Sequence, residues 1–198
     1  MIIPISNEIL DTFQLKNHEY MVNPDYYVNK SGDQEYRLYS YLSTFFNHSI
    51  ILDVGTLTGR SAIALSHNNS NHVISYDIND YIGDINHKLF TKSNIKFHLK
   101  DVFEDLTEDF VKKLSIVMID VDHYETFERR LIDRLKELKF SGIIILDDIT
   151  GHPDPKVKEC MQRLWDGITD EKYDFTKYAH WSGTGVILIN ADIQFKFD

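Results

Sequence analysis

Apolar and polar positions follow two alternating patterns along this chain. Short, nearly continuous runs of β-branched and other apolar residues are typical of strands that a sheet buries on both faces. Strands are predicted over residues 49–55, 72–77, 95–101, 114–122 and 141–149, with a closing pair over residues 173–180 and 185–190. Amphipathic helices are predicted between them, and the clearest spans residues 124–138 with its apolar positions on one face.

This alternation predicts an α/β fold: a doubly wound, mostly parallel sheet of seven strands with helices on both faces. The short segment SGTG between the last two strands indicates an antiparallel C-terminal hairpin. Asp154 and Pro155 are placed to cap and to begin a helix after the fifth strand. Residues 1–45 are rich in tyrosine and polar residues, and we expect one or two helices there that form a lid over a core of residues 46–198.

Composition narrows the class of protein and its partners. A chain of 198 residues with 42% hydrophobic residues suits one domain over residues 1–198, and no apolar run is long enough for a membrane span. The N-terminus lacks the features of a secretory signal, which favours the cytoplasm. A net charge of −10 disfavours nucleic acid as a partner. The one cysteine, Cys160, has helical spacing with apolar neighbours and is interpreted as a core residue. We therefore expect a small-molecule partner, and a homodimer is left open.

The stretch ILDVGTLTGRSA, residues 51–62, joins a buried strand to a helix through Gly55 and Gly59. Its pattern is D-x-G-x-x-x-G, with Leu57 where dinucleotide-binding folds have their second glycine, and it lacks the P-loop lysine. Asp77 ends the second strand, where a carboxylate can accept hydrogen bonds from ribose hydroxyls. These features indicate a nucleoside that carries no phosphate.

With these residues the chain resembles the class I S-adenosylmethionine-dependent methyltransferases over residues 34–189. The resemblance implies a Rossmann-like fold and S-adenosylmethionine as cofactor. It assigns six residues to the cofactor: Asp53, Gly55, Gly59 and Ser61 in the first motif, Asp77 beside the ribose and Asp101 beside the adenine. For Asp101, a helix N-cap is the alternative interpretation.

Carboxylates follow the fourth and fifth strands, in MIDVDHYETF and IIILDDITGHP. Adjacent parallel strands would gather Asp120, Asp122, Asp147 and Asp148 in one crevice, where their repulsion is relieved by protonation or by a divalent cation. Hard oxygen ligands favour Mg²⁺, with Mn²⁺ and Ca²⁺ as alternatives. The pattern resembles the metal-dependent O-methyltransferases of the catechol, caffeoyl and antibiotic-sugar types. That resemblance implies that Asp120, Asp147 and Asp148 are metal ligands and that Asp122 lies toward the cofactor.

His123 is the candidate catalytic base, since an imidazole with an ordinary pKa of about 6.5 can accept a proton at neutral pH. The spacing D-x-x-H resembles the sugar-modifying branch, in which this histidine serves as the base. The alternative is a histidine at a helix start that hydrogen-bonds Asp122. His152 is interpreted as a loop histidine that could also face the site.

Together these residues predict an enzyme that transfers methyl from S-adenosylmethionine to a hydroxyl oxygen of a small molecule, assisted by a divalent cation. Oxygen is favoured because the (D/N)-P-P-(Y/F) signature of amino-methylating DNA enzymes is missing after the fourth strand. Three alternatives stay open: a metal-independent methyltransferase, a cofactor-binding module without chemistry, and, disfavoured by the glycine spacing, a nucleotide-dependent oxidoreductase.

Overall fold

A seven-stranded sheet lies at the centre of the computed structural model, which describes residues 1–81 and 91–198. The strands, in chain order, are β1 (Ile2–Ile5), β2 (Ile50–Val54), β3 (His72–Asp77), β4 (Ile95–Leu99), β5 (Leu114–Ile119), β6 (Gly142–Asp147), β7 (Glu171–Asp174), β8 (Thr184–Ile189) and β9 (Gln194–Phe197). The central sheet has the order β4-β3-β2-β5-β6-β8-β7, and β8 runs opposite to the other six strands. The predicted Rossmann-like sheet with an antiparallel C-terminal pair is confirmed.

Helices cover both faces of this sheet. They are α1 (Asn7–Thr12), α2 (Asp25–Val28), α3 (Tyr36–Ser43), α4 (Arg60–Leu65), α5 (Glu108–Val111), α6 (Thr126–Glu137) and α7 (Pro155–Gly167). Side chains alternate along the strands, so Ile51 belongs to a hydrophobic cluster with residues of α3 and α4 on one face, and Leu52 belongs to a second cluster with residues of α6 and α7 on the other. No helix in the described part of the chain is both long and apolar enough to span a bilayer.

The strands end earlier than the pattern predicts. The strand predicted over residues 114–122 stops at Ile119, and the one predicted over 141–149 stops at Asp147. The polar residues that follow leave the sheet to form loops at its carboxyl edge, where their side chains reach solvent or one another. Residues 173–180 also do not form one strand, because the chain leaves β7 at Asp174 and enters a 3₁₀ turn, Thr176–Tyr178, before β8. The connection between β7 and β8 is therefore longer than SGTG.

The start of α7 agrees with the prediction, since the side chain of Asp154 accepts a hydrogen bond from Lys156 N at 2.8 Å and Pro155 is the first helical residue.

The N-terminal segment contains three α-helices, α1 to α3, where one or two were predicted, and also a strand that the sequence did not predict. β1 pairs in parallel with β9 to form a separate two-stranded sheet that joins the two ends of the chain. The buried guanidinium of Arg37 donates hydrogen bonds to four backbone carbonyls within residues 10–29. Apolar residues of this segment share one hydrophobic cluster with the central sheet. The segment is thus packed as part of the fold, and its role as a lid stays a prediction.

Candidate functional site

The site lies at the carboxyl edge of the sheet, between the neighbouring strands β2 and β5. After β2 the chain continues to β3 and β4 on one side of this pair, and after β5 it continues to β6 on the other side. Ligands of open α/β sheets bind at such a switch point. Gly55 follows β2 with φ +102°, and a Cβ atom there would lie 1.6 Å from the carbonyl oxygen of Asp120 after β5. A side chain at this position cannot be accommodated without moving one of the two strand ends. The glycine is therefore required for the close approach of β2 and β5.

Asp77 at the end of β3 holds the first-motif turn. Its Oδ2 accepts a hydrogen bond from Leu57 N at 3.0 Å, and its Oδ1 accepts one from Asn79 N at 2.9 Å. An ionised carboxylate offers about four acceptor positions, so two remain for a ligand. The geometry is thus compatible with the predicted contact between Asp77 and ribose hydroxyls.

A pocket of about 480 Å³ opens beside this turn. Its volume lies within the range of roughly 300–1,000 Å³ that small-molecule sites occupy. The predicted site residues that line it are Gly55, Asp77, Asp101, Asp120, Asp122 and His123. Asp101 also caps the 3₁₀ turn Val102–Glu104 by accepting a hydrogen bond from Phe103 N at 2.9 Å. The N-cap interpretation of Asp101 is therefore confirmed, and the same residue faces the pocket.

Three other residues of the first motif lie behind the pocket wall: Asp53, Gly59 and Ser61. Asp53 is fully buried, and its Oδ2 accepts a hydrogen bond of 2.5 Å from the hydroxyl of Ser75. Burial raises the pKa of Asp53 to about 7, although the hydrogen bond from Ser75 acts to lower it. Gly59 precedes α4 with φ +77°. In this structure the three residues shape the turn from behind, and their direct contact with a cofactor stays a prediction.

His123 lies between two of the predicted metal ligands. Its Nε2 is 3.1 Å from Asp120 Oδ1 and 3.7 Å from Asp148 Oδ2. Burial alone would lower the pKa of His123, but the hydrogen bond and charge of Asp120, together with the charge of Asp148, raise this pKa to about 9. The alternative that His123 pairs with Asp122 is wrong, because Nε2 of His123 faces Asp120 and its Nδ1 has no hydrogen-bond partner among the described residues.

A second imidazole, that of His180, contacts the third predicted metal ligand, and sequence reasoning missed it. His180 Nε2 lies 3.1 Å from Asp147 Oδ1 and 3.0 Å from Glu35 Oε2, while its Nδ1 is 2.6 Å from the hydroxyl of Ser182. Burial and the charge of Asp147 raise the pKa of Glu35 to about 8. Burial and the charge of Asp120 raise the pKa of Asp147 to about 6. Neither Glu35 nor His180 follows a strand end, so the motif pattern gave no signal for them.

His152 also faces this cluster, as the sequence allowed. Its Nε2 lies 3.9 Å from Asp148 Oδ2, and its ring centre is 6.1 Å from that of His123. The site therefore brings together four carboxyl groups and three imidazoles: Glu35, Asp120, Asp147, Asp148, His123, His152 and His180.

The structure gathers the predicted metal ligands, but each of them faces a histidine. Asp120 and Asp148 contact His123, and Asp147 contacts His180. Across residues 1–81 and 91–198, no three acidic, histidine or cysteine side chains are arranged to hold an ion. The chemistry of the donor set, which is rich in hard oxygen atoms, nevertheless fits Mg²⁺ or Mn²⁺. A bound cation is therefore a proposal.

Comparison with known proteins identifies the domain. A family model described as a methyltransferase domain matches residues 52–149, from β2 to just beyond β6. The chain carries a methyltransferase domain. The match contains Gly55, Asp77, Asp120 and His123 and ends after the Asp147–Asp148 pair. No curated protein matches the chain significantly in sequence.

Solved structures share the fold of this methyltransferase domain at low sequence identity. Cofactor-bound Rv0187 from MTB is 14% identical with a TM-score of 0.59, covering 80% of each chain. A provisionally assigned caffeoyl-CoA O-methyltransferase from Staphylococcus aureus is 15% identical with a TM-score of 0.56, covering 77% of this chain and 81% of that one. Fibrillarin from Aeropyrum pernix, with S-adenosyl-L-methionine natively bound, is 17% identical with a TM-score of 0.50, covering 79% and 76%. At these identities the comparison establishes the class I methyltransferase fold, as the sequence predicted.

Proposed function

We propose that this methyltransferase domain transfers a methyl group from S-adenosylmethionine to a hydroxyl oxygen of a small molecule. The observation that carries the proposal is that His123 and Asp120 line the same pocket as Gly55 and Asp77. The acid and imidazole cluster thus opens onto the place where the nucleoside would lie. A proton acceptor beside a cofactor pocket is the arrangement that oxygen methylation needs.

The pocket has the features that a nucleoside with an attached amino acid requires. Gly55 presents bare backbone to the pocket, and Asp77 retains free acceptor positions for ribose hydroxyls. The sulfonium of S-adenosylmethionine supplies an already activated methyl group, so the protein's work is alignment and charge placement. Fold relatives with bound cofactor support this assignment.

His123 would accept the proton of the acceptor hydroxyl. In the arrangement described here its imidazole neutralises Asp120, and the raised pKa keeps it protonated at neutral pH. A base must be neutral to accept a proton. For His123 to act as the base, another positive charge must therefore take the place of its protonated imidazole beside Asp120.

We propose a divalent cation, held by Asp120, Asp147 and Asp148, for that charge. When bound, such a cation lowers the pKa of an acceptor hydroxyl and orients it. The three carboxylates would then no longer need the two imidazoles as counterions, and His123 could act as the base. The resemblance to metal-dependent O-methyltransferases and the excess of carboxyl groups over imidazoles support this step.

The acceptor is proposed to be small, hydroxylated and not a nucleic acid. The chain carries a net charge of −10, and four carboxyl groups lie at the site itself, so a phosphate backbone would be repelled. We would assay transfer of labelled methyl from S-adenosylmethionine to a panel of catechols, sugars and other polyols, with an RNA pool and an amine panel alongside. Labelling confined to RNA or to amines would overturn the proposed acceptor class.

Asp77→Ala should weaken the binding of S-adenosylhomocysteine by about tenfold or more. Hydrogen bonds to a charged group contribute roughly 1.5–3 kcal/mol each, and two ribose hydroxyls would lose their acceptor. Isothermal titration calorimetry measures the change, with Asp133→Ala on the exposed face of α6 as the control. Unchanged affinity in Asp77→Ala would remove Asp77 from the cofactor site.

Residues 21–32 should become more protected from hydrogen exchange when S-adenosylhomocysteine binds. Arg60, which follows Gly59, donates to Val22 O at 3.4 Å and lies 5.0 Å from the ring centre of Tyr26, so this segment touches the first motif. Lids of this kind exclude water from reacting groups. Exchange mass spectrometry would compare this segment with β9, which contributes no residue to the lining of the pocket. Equal exchange of residues 21–32 with and without cofactor would contradict the lid.

A further inference from the structure

The loop between β5 and α6 holds His123 in a conformation that needs support. His123 has φ +56° and Glu125 has φ +71°, both in the left-handed region that side chains other than glycine rarely adopt. Such conformations persist only where surrounding contacts enforce them, and they occur often at functional sites. The contacts of this loop therefore bear on the placement of the candidate base.

One of these contacts comes from a fully buried carboxyl group, that of Glu128. Its Oε1 accepts a hydrogen bond from His123 N at 2.9 Å, and its Oε2 has no hydrogen-bond partner within the described ranges. Burial raises the pKa of Glu128, because a charged carboxylate is unfavourable in this buried position. An acid retained there needs a compensating role.

The position of Glu128 in α6 makes the contact unusual. Glu125 is the N-cap, so Glu128 is the third helical residue. A glutamate there ordinarily reaches back to the backbone N–H of the N-cap itself. Glu128 instead reaches two residues further back, to His123. The start of α6 has other support, because the carboxylate of Glu125 pairs with Arg129 and Arg163, each at 2.6 Å.

We propose that Glu128 is a positioning residue for methyl transfer, because its carboxyl group fixes the backbone of His123 and thereby aims the imidazole at Asp120 and the pocket. The inference rests on the proposed function. The loop is held from both sides, since Asp122 accepts the hydrogen bond of Tyr124 N while Glu128 accepts that of His123 N. Glu128 itself does not touch the reacting groups.

The test compares Glu128→Gln, Glu128→Asp and Glu128→Ala. Glutamine keeps an acceptor oxygen at the same reach, aspartate is too short, and alanine has no acceptor. We expect Glu128→Ala and Glu128→Asp to lower kcat by about 10²-fold, the loss that a displacement of about 1 Å causes, with KM for S-adenosylmethionine within about twofold. Glu128→Gln should stay within about threefold of the parent chain, because only the hydrogen bond is needed. Ile132→Val, also buried on α6, controls for lost helix packing and should leave kcat unchanged.

Two NMR readouts follow the contact without turnover. The His123 backbone amide should exchange at least about tenfold faster in Glu128→Ala and Glu128→Asp, and the His123 ring signal, assigned with His123→Asn, should shift in both variants. A parent chain that transfers no methyl group would count against the proposed function, and the NMR result would still decide whether Glu128 positions His123. Unchanged exchange and ring signal in Glu128→Asp would overturn the inference. So would a kcat that falls as far in Glu128→Gln or in Ile132→Val as in Glu128→Ala. Glu128→Asp and Glu128→Gln keep it testable should Glu128→Ala not fold.

Discussion

His123→Ala is expected to reduce methyl transfer by about 10²–10⁴-fold, the range that a positioned general base contributes. Cofactor affinity should change by no more than about twofold, because Gly55 and Asp77 rather than His123 are assigned to the nucleoside. Single-turnover transfer measures the first quantity and calorimetry with S-adenosylhomocysteine the second. The separation of the two effects is what distinguishes a base from a structural histidine.

His72→Ala provides the matched control, since His72 is exposed at the amino-terminal end of β3, away from the site. It should transfer methyl at the parental rate. His152→Ala should lose less than His123→Ala, because His152 reaches Asp148 only at 3.9 Å. Transfer within about threefold of the parent in His123→Ala would exclude His123 as the base and direct attention to His180.

Removing divalent cations should abolish transfer, and Mg²⁺ or Mn²⁺ should restore it, while cofactor binding hardly changes. Asp147→Asn is the sharper form of this prediction, because it keeps the size of the side chain and removes one charge that a hard cation requires. Transfer should fall by at least about 10–100-fold, the loss already typical of residues that only support metal ligands. The measurement is transfer at a series of cation concentrations, with calorimetry of S-adenosylhomocysteine beside it.

Asp133→Asn on the exposed face of α6 makes the same chemical change away from the site and should leave transfer intact. Full activity in excess EDTA, together with an unaffected Asp147→Asn variant, would refute the cation and favour the metal-independent methyltransferase. Transfer lost in EDTA but retained in Asp147→Asn would keep the cation and remove Asp147 from its ligands.

The sequence pattern predicted the buried strands and the turn that follows β2, because both depend on residues that are close together in the chain. Buried strands such as β2 and β5 are continuous apolar runs, and the turn at Gly55 has a sequence that only a tight strand-to-helix connection requires. The convergence of Asp120 with Asp147 followed from the same reasoning, because parallel strands end at one edge of a sheet. These features depend on residues close together in the chain and on a simple rule of topology.

Contacts between distant segments could not be predicted in this way. Pairing of β1 with β9 joins residues about 190 positions apart, and neither strand is long enough to stand out from its surroundings. The contact of His180 with Glu35 likewise joins two loops whose approach is set by the packing of the whole N-terminal segment. The backbone amide that donates to Glu128 has no signature in the sequence, since every residue except proline would carry one at position 123.

Calorimetric titration of the chain with S-adenosylhomocysteine and, separately, with NAD tests the central claim most directly, because every proposed step depends on the nature of this pocket. The account predicts one S-adenosylhomocysteine bound per chain, at least about tenfold more tightly than NAD, with the affinity reduced in Asp77→Ala. Absence of S-adenosylhomocysteine binding, or preferential binding of NAD, would contradict it.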